Sequence, residues 1–466
     1  MFLRNRFTRF LVSAAAGLTV FVAGAAGSPP LRAEEAAADS KAADEKIDEV
    51  DQRVRILERK AELKAEADAE GQKTAGLVGA GKDGFFLKSA DGSFILKIRG
   101  YLQTDGRAFS SDQVKPVVDT FLIRRARPIV EVTVGKIFDF RIMTDFGEGK
   151  TVLQDAYMDA RFSPKASLRT GKFKAPVGLE RLQSATDNFF VERALPTNLV
   201  PNRDIGLELW GGFVDGAISY AVGVFNGVAD GGSADADINS TKEVAARVFV
   251  LPFKKSGGWA QGLGFGVAGS AGDNDGTLST PGLSSYKTTG QQTFFSFLND
   301  GKAPGTVLAN GSHKRLAPQA YLFVGRFGLL AEWVRSTQKV ILGTNRDEIA
   351  AKSWQATATF LLTSDKASVK GVGPKHPFDA TPRGPGAIEL VARAGALSVD
   401  EDAFPLFANP TASAQSAREV GAGVNWYLTR NVKFMLDGVR TRFGGGAATG
   451  DREDERVLFS RVQISF

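Results

Sequence analysis

The stretch TFLIRRARPIVEVTV, residues 120–134, decides the fold class. Its Val, Ile, Thr and Phe content is typical of a β-strand, yet arginines occupy positions 124, 125 and 127 inside it. A strand covered on both faces would leave those guanidinium groups without water or charged partners. A strand between lipid and a water-filled lumen can carry arginines on its wet face, whereas each would cost about 2–4 kcal/mol on the lipid face near the membrane midplane.

Alternation along this strand divides its side chains between two faces. One face carries Arg125, Arg127 and Glu131, and the opposite face carries Val130, Val132 and Val134. The same alternation predicts that Arg124 lies on the lipid side near the rim, where the cost of a charge approaches zero. Residues 94–105 and 136–146 alternate in the same way. A soluble β-sandwich would also alternate, so the number of strands and their connections must decide between the two folds.

The number and spacing of such segments favour a membrane barrel. The sixteen predicted strands lie near 94–107, 118–133, 136–146, 152–162, 166–174, 204–211, 215–226, 242–251, 262–272, 314–323, 326–337, 350–361, 386–397, 415–428, 432–443 and 455–466. Short turns such as 429–431 alternate with longer connections such as 273–313, an asymmetry typical of outer-membrane barrels. Two connections weaken the pattern, because 147–151 is short on the long-loop side and 362–385 is long on the short-turn side. The sequence therefore predicts an all-β protein with a 16-stranded antiparallel transmembrane β-barrel at 85–466.

Residues 1–33 have the composition of an export signal. MFLRNRFTRF carries three arginines and no acid, an apolar run of small residues follows, and Ala33 stands at a small-residue cleavage position. A membrane anchor is the alternative, but the run is at the short edge for a span and its alanines and glycines are only weakly hydrophobic. The sequence thus predicts a cleaved signal peptide at 1–33, and the lack of cysteine fits an oxidising compartment.

Residues 34–70 predict a helical extension, since Ala, Glu and Lys dominate and no Gly or Pro interrupts them. Apolar residues recur there at alternating spacings of three and four, namely Ile47, Val50, Val54, Leu57 and Ala61. That spacing is a coiled-coil seam, but it covers too few heptads to hold free helices together alone. Two interpretations stay open, a coiled coil held together by an oligomeric body and a solvated charged linker helix. The glycine-rich residues 71–84 predict a linker before the barrel.

Basic residues are concentrated in the first predicted strands. Residues 97–181 contain sixteen Lys and Arg against ten Asp and Glu. Alternation places seven of the basic residues on the lumen face of five neighbouring strands: Lys97, Arg99, Arg107, Arg125, Arg127, Arg141 and Arg169. Such a row would attract anions, because the guanidinium group is permanently charged and its planar fork suits oxyanions. The alternative is that these basic side chains face water in the lumen without attracting anions, because they pair with the acids Glu131, Asp139, Asp145, Asp155 and Asp159.

The long connection 175–203 carries apolar residues of its own, including Phe189, Phe190 and Val191. If this loop folds into the barrel, it buries those side chains and narrows the pore. It then also brings Arg181 and Arg193 into the lumen. An extracellular cap is the alternative, because long loops are commonly surface features.

Five motifs follow one another in a fixed order along the chain. They are DGSFILKIRGYLQTDGRAF, FLIRRARPIVEVTV, QDAYMDARFSPKASLRTGKFKAPVGLE, NFFVERALPTNLVPNRDIGLELWG and the closing strand RVLFSRVQISF. In this order they resemble the phosphate-selective porin O and P family, over roughly residues 85–466 and most strongly over 85–225. The resemblance implies a sixteen-stranded, trimeric outer-membrane porin with an arginine ladder and an anion site narrowed by a loop.

The resemblance also implies roles for particular residues. Arg125 of IRRA matches a central-site arginine, Arg181 of GLER stands where the family has a basic loop residue, and Asp155 of QDA matches a site aspartate. Tyr101 stands where the best-known phosphate channels have arginine, and Asp139 stands near where they have lysine. Each of these two departures removes a positive charge. The residues expected at the constriction are Tyr101, Asp139 and Asp155, together with Arg193 of the long connection.

Together these features predict an outer-membrane porin for passive diffusion of small anions, phosphate or other oxyanions, through a pore lined by arginine and lysine. Its expected partners are those anions, outer-membrane lipid and further copies of the chain in a homotrimer, with the N-terminal segment in the periplasm. The alternative is a weakly selective general porin whose coiled-coil stalk also tethers the outer membrane to the cell envelope.

An enzyme is not expected from this sequence. Its two histidines, His313 and His376, both lie in predicted loops, and no serine motif is nearby. Neither paired histidines nor cysteines are present to hold a metal, so no metal site or cofactor is expected. Export into a membrane barrel also argues against a nucleic-acid partner.

Overall fold

The computed structural model describes residues 31–74, 76–81, 84–110, 118–237, 239–379 and 384–466. Within them, the α-helix α1 spans Leu31–Thr74. The strands are β1 (Leu77–Gly81), β2 (Gly84–Lys88), β3 (Phe94–Phe109), β4 (Thr120–Val134), β5 (Phe138–Asp145), β6 (Val152–Ser163), β7 (Ala166–Phe173), β8 (Asp204–Phe213), β9 (Ile218–Phe225), β10 (Glu243–Val250), β11 (Leu263–Asp275), β12 (Tyr286–Lys287), β13 (Thr293–Phe295), β14 (Leu308–Val324), β15 (Phe327–Leu342), β16 (Asn345–Leu361), β17 (Ala387–Val399), β18 (Ala414–Tyr427), β19 (Val432–Ala447), β20 (Gly450–Asp451) and β21 (Glu455–Ser465). Short 3-10 helices lie at Gly147–Gly149, Leu195–Asn198, Trp259–Gly262 and Glu401–Ala403. The predicted signal peptide, 1–33, lies outside the described residues except for its last three positions, which begin α1.

Sixteen of the described strands close into an antiparallel barrel, which confirms the predicted fold class. The barrel strands are β3–β11, β14–β19 and β21, and each pairs with the next barrel strand along the chain. The ring closes where β21 pairs with β3, from Val457 opposite Phe109 to Ser465 opposite Tyr101. Closure leaves the wall without an unpaired strand edge, which a strand structure in lipid requires.

A β-hairpin precedes the barrel where the sequence predicted a glycine-rich linker at 71–84. β1 pairs with β2, from Leu77 opposite Lys88 to Gly81 opposite Gly84, and β2 pairs with the first half of β3. Within the predicted linker, Gly79, Gly81 and Gly84 belong to this paired structure, whereas Gly71 lies in α1. At Gly84 the backbone φ is +87°, a left-handed conformation that glycine adopts without strain.

Side chains of the wall alternate between lipid-facing and lumen-facing positions, as the sequence predicted. On β3, Ile98 and Leu102 are exposed on the outer surface, whereas Gln103 and Asp105 are almost completely buried inside the barrel. The apolar residues of the outer face supply the lipid-contacting band that a membrane barrel needs.

Arg124 departs from this alternation. In the pairing of β3 with β4, Gln103 stands opposite Arg125 and Thr104 stands opposite Ile123, so Arg124 is the extra residue of a β-bulge. A bulge interrupts the period of two and re-aims the side chain at that position. Arg124 therefore points into the lumen and not toward lipid, as its ion pairs there show.

The connection between β7 and β8 folds into the barrel, which confirms the inward alternative for this loop. Phe190 and Val191 are 1% and 0% exposed, and they belong to a cluster with Leu330, Val391 and Met435 of the far wall. The connection 276–307 also turns inward and contributes buried aromatic residues to a second cluster. The lumen is thus partly filled by loop residues, and the apolar side chains of these loops are hidden from water.

Helix α1 forms a unit of its own. Its predicted seam residues Ile47, Val50, Val54 and Leu57 are all exposed. Ion pairs one turn apart, such as Arg53 with Glu49 at 2.6 Å, stabilise its surface weakly. The coiled coil remains a prediction. Among the described residues, no helix combines the length and the apolar character that crossing a membrane requires.

The closing seam of the barrel contains a buried ion pair. Arg461 of β21 donates from Nε to Asp105 Oδ1 at 2.6 Å and from Nη2 to Asp105 Oδ2 at 2.7 Å. Both side chains are 0% exposed, and the two residues stand opposite each other in the strand register. This bidentate pair joins the first barrel strand to the last.

We expect Arg461→Met to lower the free energy of unfolding by about 3–5 kcal/mol, because it leaves the Asp105 carboxylate buried without its partner. Urea unfolding of the protein in lipid vesicles measures this change. The double variant Arg461→Met with Asp105→Leu should recover part of the loss, since both charges are then gone. A single variant as stable as the wild type would show that the seam does not depend on this pair.

Candidate functional site

Two cavities lined by lumen residues share four arginines among the described part of the chain. The larger cavity, of about 590 Å³, is lined mainly by β3–β7 and the inward loop. The smaller one, of about 440 Å³, is lined by parts of the long-side connections 226–242 and 276–307. The residues that line both cavities are Arg124, Arg125, Arg181 and Arg193. Their meeting place, called the constriction below, is therefore built of basic side chains.

Glu192 of the inward loop holds the wall arginines at the constriction. Its carboxylate oxygens lie 2.5 Å from Arg124 Nε, 3.1 Å from Arg107 Nη2 and 3.8 Å from Arg125 Nη2. Burial by itself raises the pKa of Glu192, but Arg124 and Arg125 outweigh that effect and hold the pKa well below its ordinary value. One ionised carboxylate is thus shared by several guanidinium groups.

Arg181 and Arg193 of the same loop contact backbone carbonyl groups instead of carboxylates. Arg193 donates from Nε to the carbonyl of Glu180 at 3.1 Å and from Nη2 to the carbonyl of Gln183 at 2.9 Å. Arg181 donates to the carbonyl of Thr197, and its Nε is buried without a hydrogen-bond partner. Within the described part of the chain, neither guanidinium group forms an ion pair.

The charge of Arg181 persists at neutral pH despite its burial. Burial lowers the pKa of Arg181 to about 9, and the nearby charges of Arg193 and Arg203 contribute to the decrease. A group with that pKa is still almost fully protonated at pH 7. The loop therefore contributes positive charge that is not held in an ion pair among the described residues, although the carboxylates of Glu180 and Glu332 lie near enough to favour the charged form of Arg181.

The other wall arginines are largely neutralised by inward acids, which is the paired-charge alternative of the sequence analysis. The pairs are Arg127 with Asp145 at 2.7 Å, Arg141 with Glu131 at 2.6 Å and Arg169 with Asp159 at 2.9 Å. Arg127 also donates from Nη1 to the hydroxyl of Tyr101 at 2.8 Å. These wall arginines are therefore paired with carboxylates, whereas Arg181 and Arg193 at the constriction are not.

Asp155 and Arg99 both line the larger cavity. Asp155 lies between two arginines, 3.3 Å from Arg141 Nε and 3.0 Å from Arg203 Nε. It was predicted at the constriction, and it lies in the wall just beside it. Arg99 contacts the Glu131 carboxylate at 3.5 Å, so its charge too is partly compensated.

Three other residues predicted for the pathway or the constriction do not line either cavity. Asp139 lies at the start of β5 beside a short turn, and it pairs with Arg161 at 2.5 Å. Its expected place at the constriction is wrong because β5 begins only one residue earlier, which puts Asp139 at the rim. Lys97 also lies low on the wall, opposite Glu131 in the register. Arg107 is turned toward Glu192.

Sequence reasoning assigned no role to Glu192 or Arg203, and it placed Arg124 on the wrong face. An acid within NFFVERAL, next to Arg193 and inside an arginine-rich lumen, was a usable signal for Glu192. No sequence signal marks the bulge that turns Arg124 inward. Arg203 stands just before β8, and only the folded loop shows that it meets Asp155.

The histidine arrangement differs from the sequence expectation without suggesting a nucleophile. His313 lies in β14 and not in a loop. Its Nε2 contacts both Asp230 at 3.1 Å and Ser336 at 3.2 Å. A Ser-His-Asp relay uses the two different ring nitrogens for these contacts, so this cluster is arranged as a structural tie.

Comparisons with known proteins agree with this architecture. The family described as phosphate-selective porin O and P matches residues 96–466. The outer-membrane channel DcaP of Acinetobacter baumannii has a similar structure, with 9% identity, a TM-score of 0.54, and coverage of 81% of this chain and 99% of that one. The anion-selective porin from Comamonas acidovorans has 10% identity, a TM-score of 0.50, and coverage of 80% and 100%. No curated protein matches the chain.

A closed sixteen-stranded barrel with a loop folded into its lumen is the architecture of a porin. Because the family match covers most of the chain, the protein belongs to the phosphate-selective porin O and P family. It is an outer-membrane porin.

The anchoring of the inward loop by Glu192 predicts a pH dependence. A carboxylate with a depressed pKa stabilises the folded arrangement above its ordinary pKa of about 4, and that stabilisation is lost as the pH falls through the lower, folded-state pKa. We therefore expect the contribution of Glu192, measured in planar bilayers as the difference in open-channel current noise between Glu192→Gln and the wild type, to stay constant from pH 7 to about 4. Glu192→Gln, which frees Arg107 and Arg124 from their carboxylate, should raise the noise at every pH.

Glu192→Asp is the control, because it keeps the charge at a slightly shorter reach. A Glu192→Gln variant as quiet as the wild type, or a difference between the two that already changes between pH 7 and 5, would contradict the assigned anchor, since Glu192 remains ionised throughout that range.

Proposed function

We propose that the porin conducts small anions, with oxyanions such as phosphate as its favoured class. The observation that carries this proposal is the set of four arginines at the constriction, two of which, Arg181 and Arg193, have no carboxylate partner among the described residues. An ion that passes between the cavities must pass these side chains. Positive charge where the two cavities meet raises the local concentration of anions and repels cations.

The lining of the larger cavity supports the same sign of selectivity. It contains ten arginines against three carboxylates, those of Asp145, Glu148 and Asp155. Arginine offers paired N–H donors that match the oxygens of phosphate better than a bare chloride ion. Tyr101 replaces one of the family's arginines and accepts a hydrogen bond from Arg127, so we propose weaker phosphate binding than in channels with arginine there. The anion-selective porin from Comamonas acidovorans, which shares the fold, adds support by analogy.

The test is the reversal potential of the purified protein in a planar bilayer under a chloride gradient, followed by addition of phosphate. Anion conduction gives a reversal potential near the chloride equilibrium value. Phosphate binding gives a concentration-dependent block of the chloride current. A reversal potential on the cation side would refute anion conduction, and an unblocked anionic current would refute only the preference for phosphate.

Removing the unpaired charges should reduce the selectivity. We expect Arg181→Gln with Arg193→Gln to lower the anion-to-cation permeability ratio by about three- to tenfold, which corresponds to roughly 1 kcal/mol of lost attraction. The cause is the loss of two positive charges that form no ion pair among the described residues. The reversal potential in the same chloride gradient measures the ratio.

The matched control is Arg335→Gln with Lys352→Gln, which removes two charges from the exposed outer surface of β15 and β16. It should leave the ratio unchanged. If the control and the constriction variant shift the ratio equally, the effect is one of net charge alone, and the constriction has no special role. Arg125→Ala combined with Arg181→Ala should shift selectivity in the same direction as the first variant.

We further propose a homotrimer whose α1 helices form a parallel coiled coil in the periplasm. The exposed apolar seam of Ile47, Val50, Val54 and Leu57 supports it, because an isolated helix would leave these side chains in water. β-branched residues at several seam positions favour more than two helices. The seam is short, so the barrels should supply most of the association free energy, with outer-membrane lipid around them.

We expect Val54→Cys to crosslink subunits of the full-length protein under mild oxidation, because seam positions of a parallel coiled coil face one another. Arg59→Cys, on the face of the same helix opposite the seam, is the control and should crosslink far less. Gel electrophoresis without reductant measures the product. Equal crosslinking at both positions, or none at position 54, would favour the solvated linker helix.

A further inference from the structure

A group of arginines lies on the outer surface of the barrel, separate from the lumen. It consists of Arg418 on β18, Arg440 and Arg442 on β19, and Arg456 on β21, and is called the outer arginine cluster below. Arg418 stands opposite Arg442 in the register, and Arg440 stands opposite Arg456. Residues that alternate with them, such as Glu419, Thr441 and Glu455, are buried inside the barrel. The four arginines therefore face outward.

The outer arginine cluster lies where the apolar band ends. Further along the same strands the outward side chains are apolar and exposed, with Val420 two residues after Arg418 on β18, Leu436 four residues before Arg440 on β19 and Leu458 two residues after Arg456 on β21. The cluster occupies the ends of these strands that lead to the long connections 400–413 and 448–454. In porins the long loops face the outside of the cell, so this is the level of the lipid headgroups of the outer leaflet.

The positive charge of the cluster exceeds what its acidic neighbours can neutralise. Asp454 lies 2.5 Å from Arg440 Nη2 and 3.8 Å from Arg442 Nε, and Asp451 lines the same groove. Within the described residues, Arg418 and Arg456 form no ion pair. Like charges placed directly opposite each other on neighbouring strands are destabilising unless a counter-charge lies between them.

A groove between these arginines is large enough for such a counter-charge. Its volume is about 520 Å³, and it is lined by Arg418, Arg440, Arg442, Asp451 and the apolar Val420. Guanidinium groups bind phosphate through paired, charge-assisted hydrogen bonds. An apolar floor beside phosphate-binding groups matches a lipid, whose headgroup and acyl chains are covalently joined, better than it matches a free ion.

We propose that the outer arginine cluster binds the phosphate groups of a phosphorylated glycolipid in the outer leaflet. The acyl chains would lie along the apolar band below Val420 and Leu458, and the flexible arginine stems would follow the band while their charged ends reach the headgroup. This site lies outside the lumen, so it does not depend on the proposed anion selectivity.

The test uses full-length protein in detergent and bisphosphorylated lipid A as the probe, with binding measured by native mass spectrometry or fluorescence anisotropy. Arg418→Gln with Arg442→Gln should weaken binding about tenfold, the loss expected from a few exposed charge-assisted contacts. Removing the phosphates from lipid A should weaken its binding to the wild-type protein by about the same factor as the double substitution weakens the binding of intact lipid A. Unchanged single-channel conductance shows that the variant is folded, because neither arginine lines the lumen cavities.

The matched control, Lys165→Gln with Lys255→Gln, removes two exposed charges from the short-turn rim and should bind lipid A as the wild type does. A variant with wild-type affinity for lipid A overturns the proposal. Equal binding of lipid A with and without phosphate also overturns it, as does displacement of lipid A by equimolar inorganic phosphate, which would assign a free-anion site. A changed oligomeric state of the variant would instead assign the cluster to a contact between subunits.

Discussion

Lipid offers no hydrogen bonds to a backbone, and this constraint organises the rest of the molecule. A sheet can satisfy it only by closing, which β21 does when it pairs with β3. Closure fixes one face of every strand in lipid and the other in the lumen, so each charged side chain has one of two surroundings. The buried pair of Arg461 and Asp105 at the seam shows that charges are used even where the ring is joined. These two charges can be buried in the lumen because each is the ion-pair partner of the other.

The lumen contains many arginines, and whether each one contacts a carboxylate depends on its position. On the wall, Arg127 and Arg169 meet acids of neighbouring strands. At the constriction the inward loop supplies both the compensating carboxylate of Glu192 and the uncompensated guanidinium groups of Arg181 and Arg193. The apolar residues Phe190 and Val191 hold this loop against the far wall. Loop packing and the proposed anion selectivity therefore depend on the same loop.

Strand positions and most lumen faces could be predicted from the sequence. Period-two alternation is a local property, so it located sixteen strands and turned Arg125, Arg127, Arg141 and Arg169 inward without knowledge of the fold. The failures have physical causes. Arg124 depends on a bulge that only the β3–β4 register reveals. Asp139 was assigned to the constriction by motif, although its depth in the barrel is set by where β5 begins. The glycine-rich residues 71–84 predicted a linker, but Gly79, Gly81 and Gly84 belong to the β1–β2 hairpin.

The sequence by itself determined the class of the protein, because alternation, strand count and motif order are patterns that can be read along the chain without knowledge of long-range contacts. Tertiary structure alone decided which charges neutralise one another. Glu192 meets Arg124 across 68 residues of chain and Asp105 meets Arg461 across 356, and no local pattern encodes such encounters. They follow from strand register, barrel closure and the inward fold of one loop. Electrostatic balance depends on distances of a few ångströms, so it could not be known before those elements were in place.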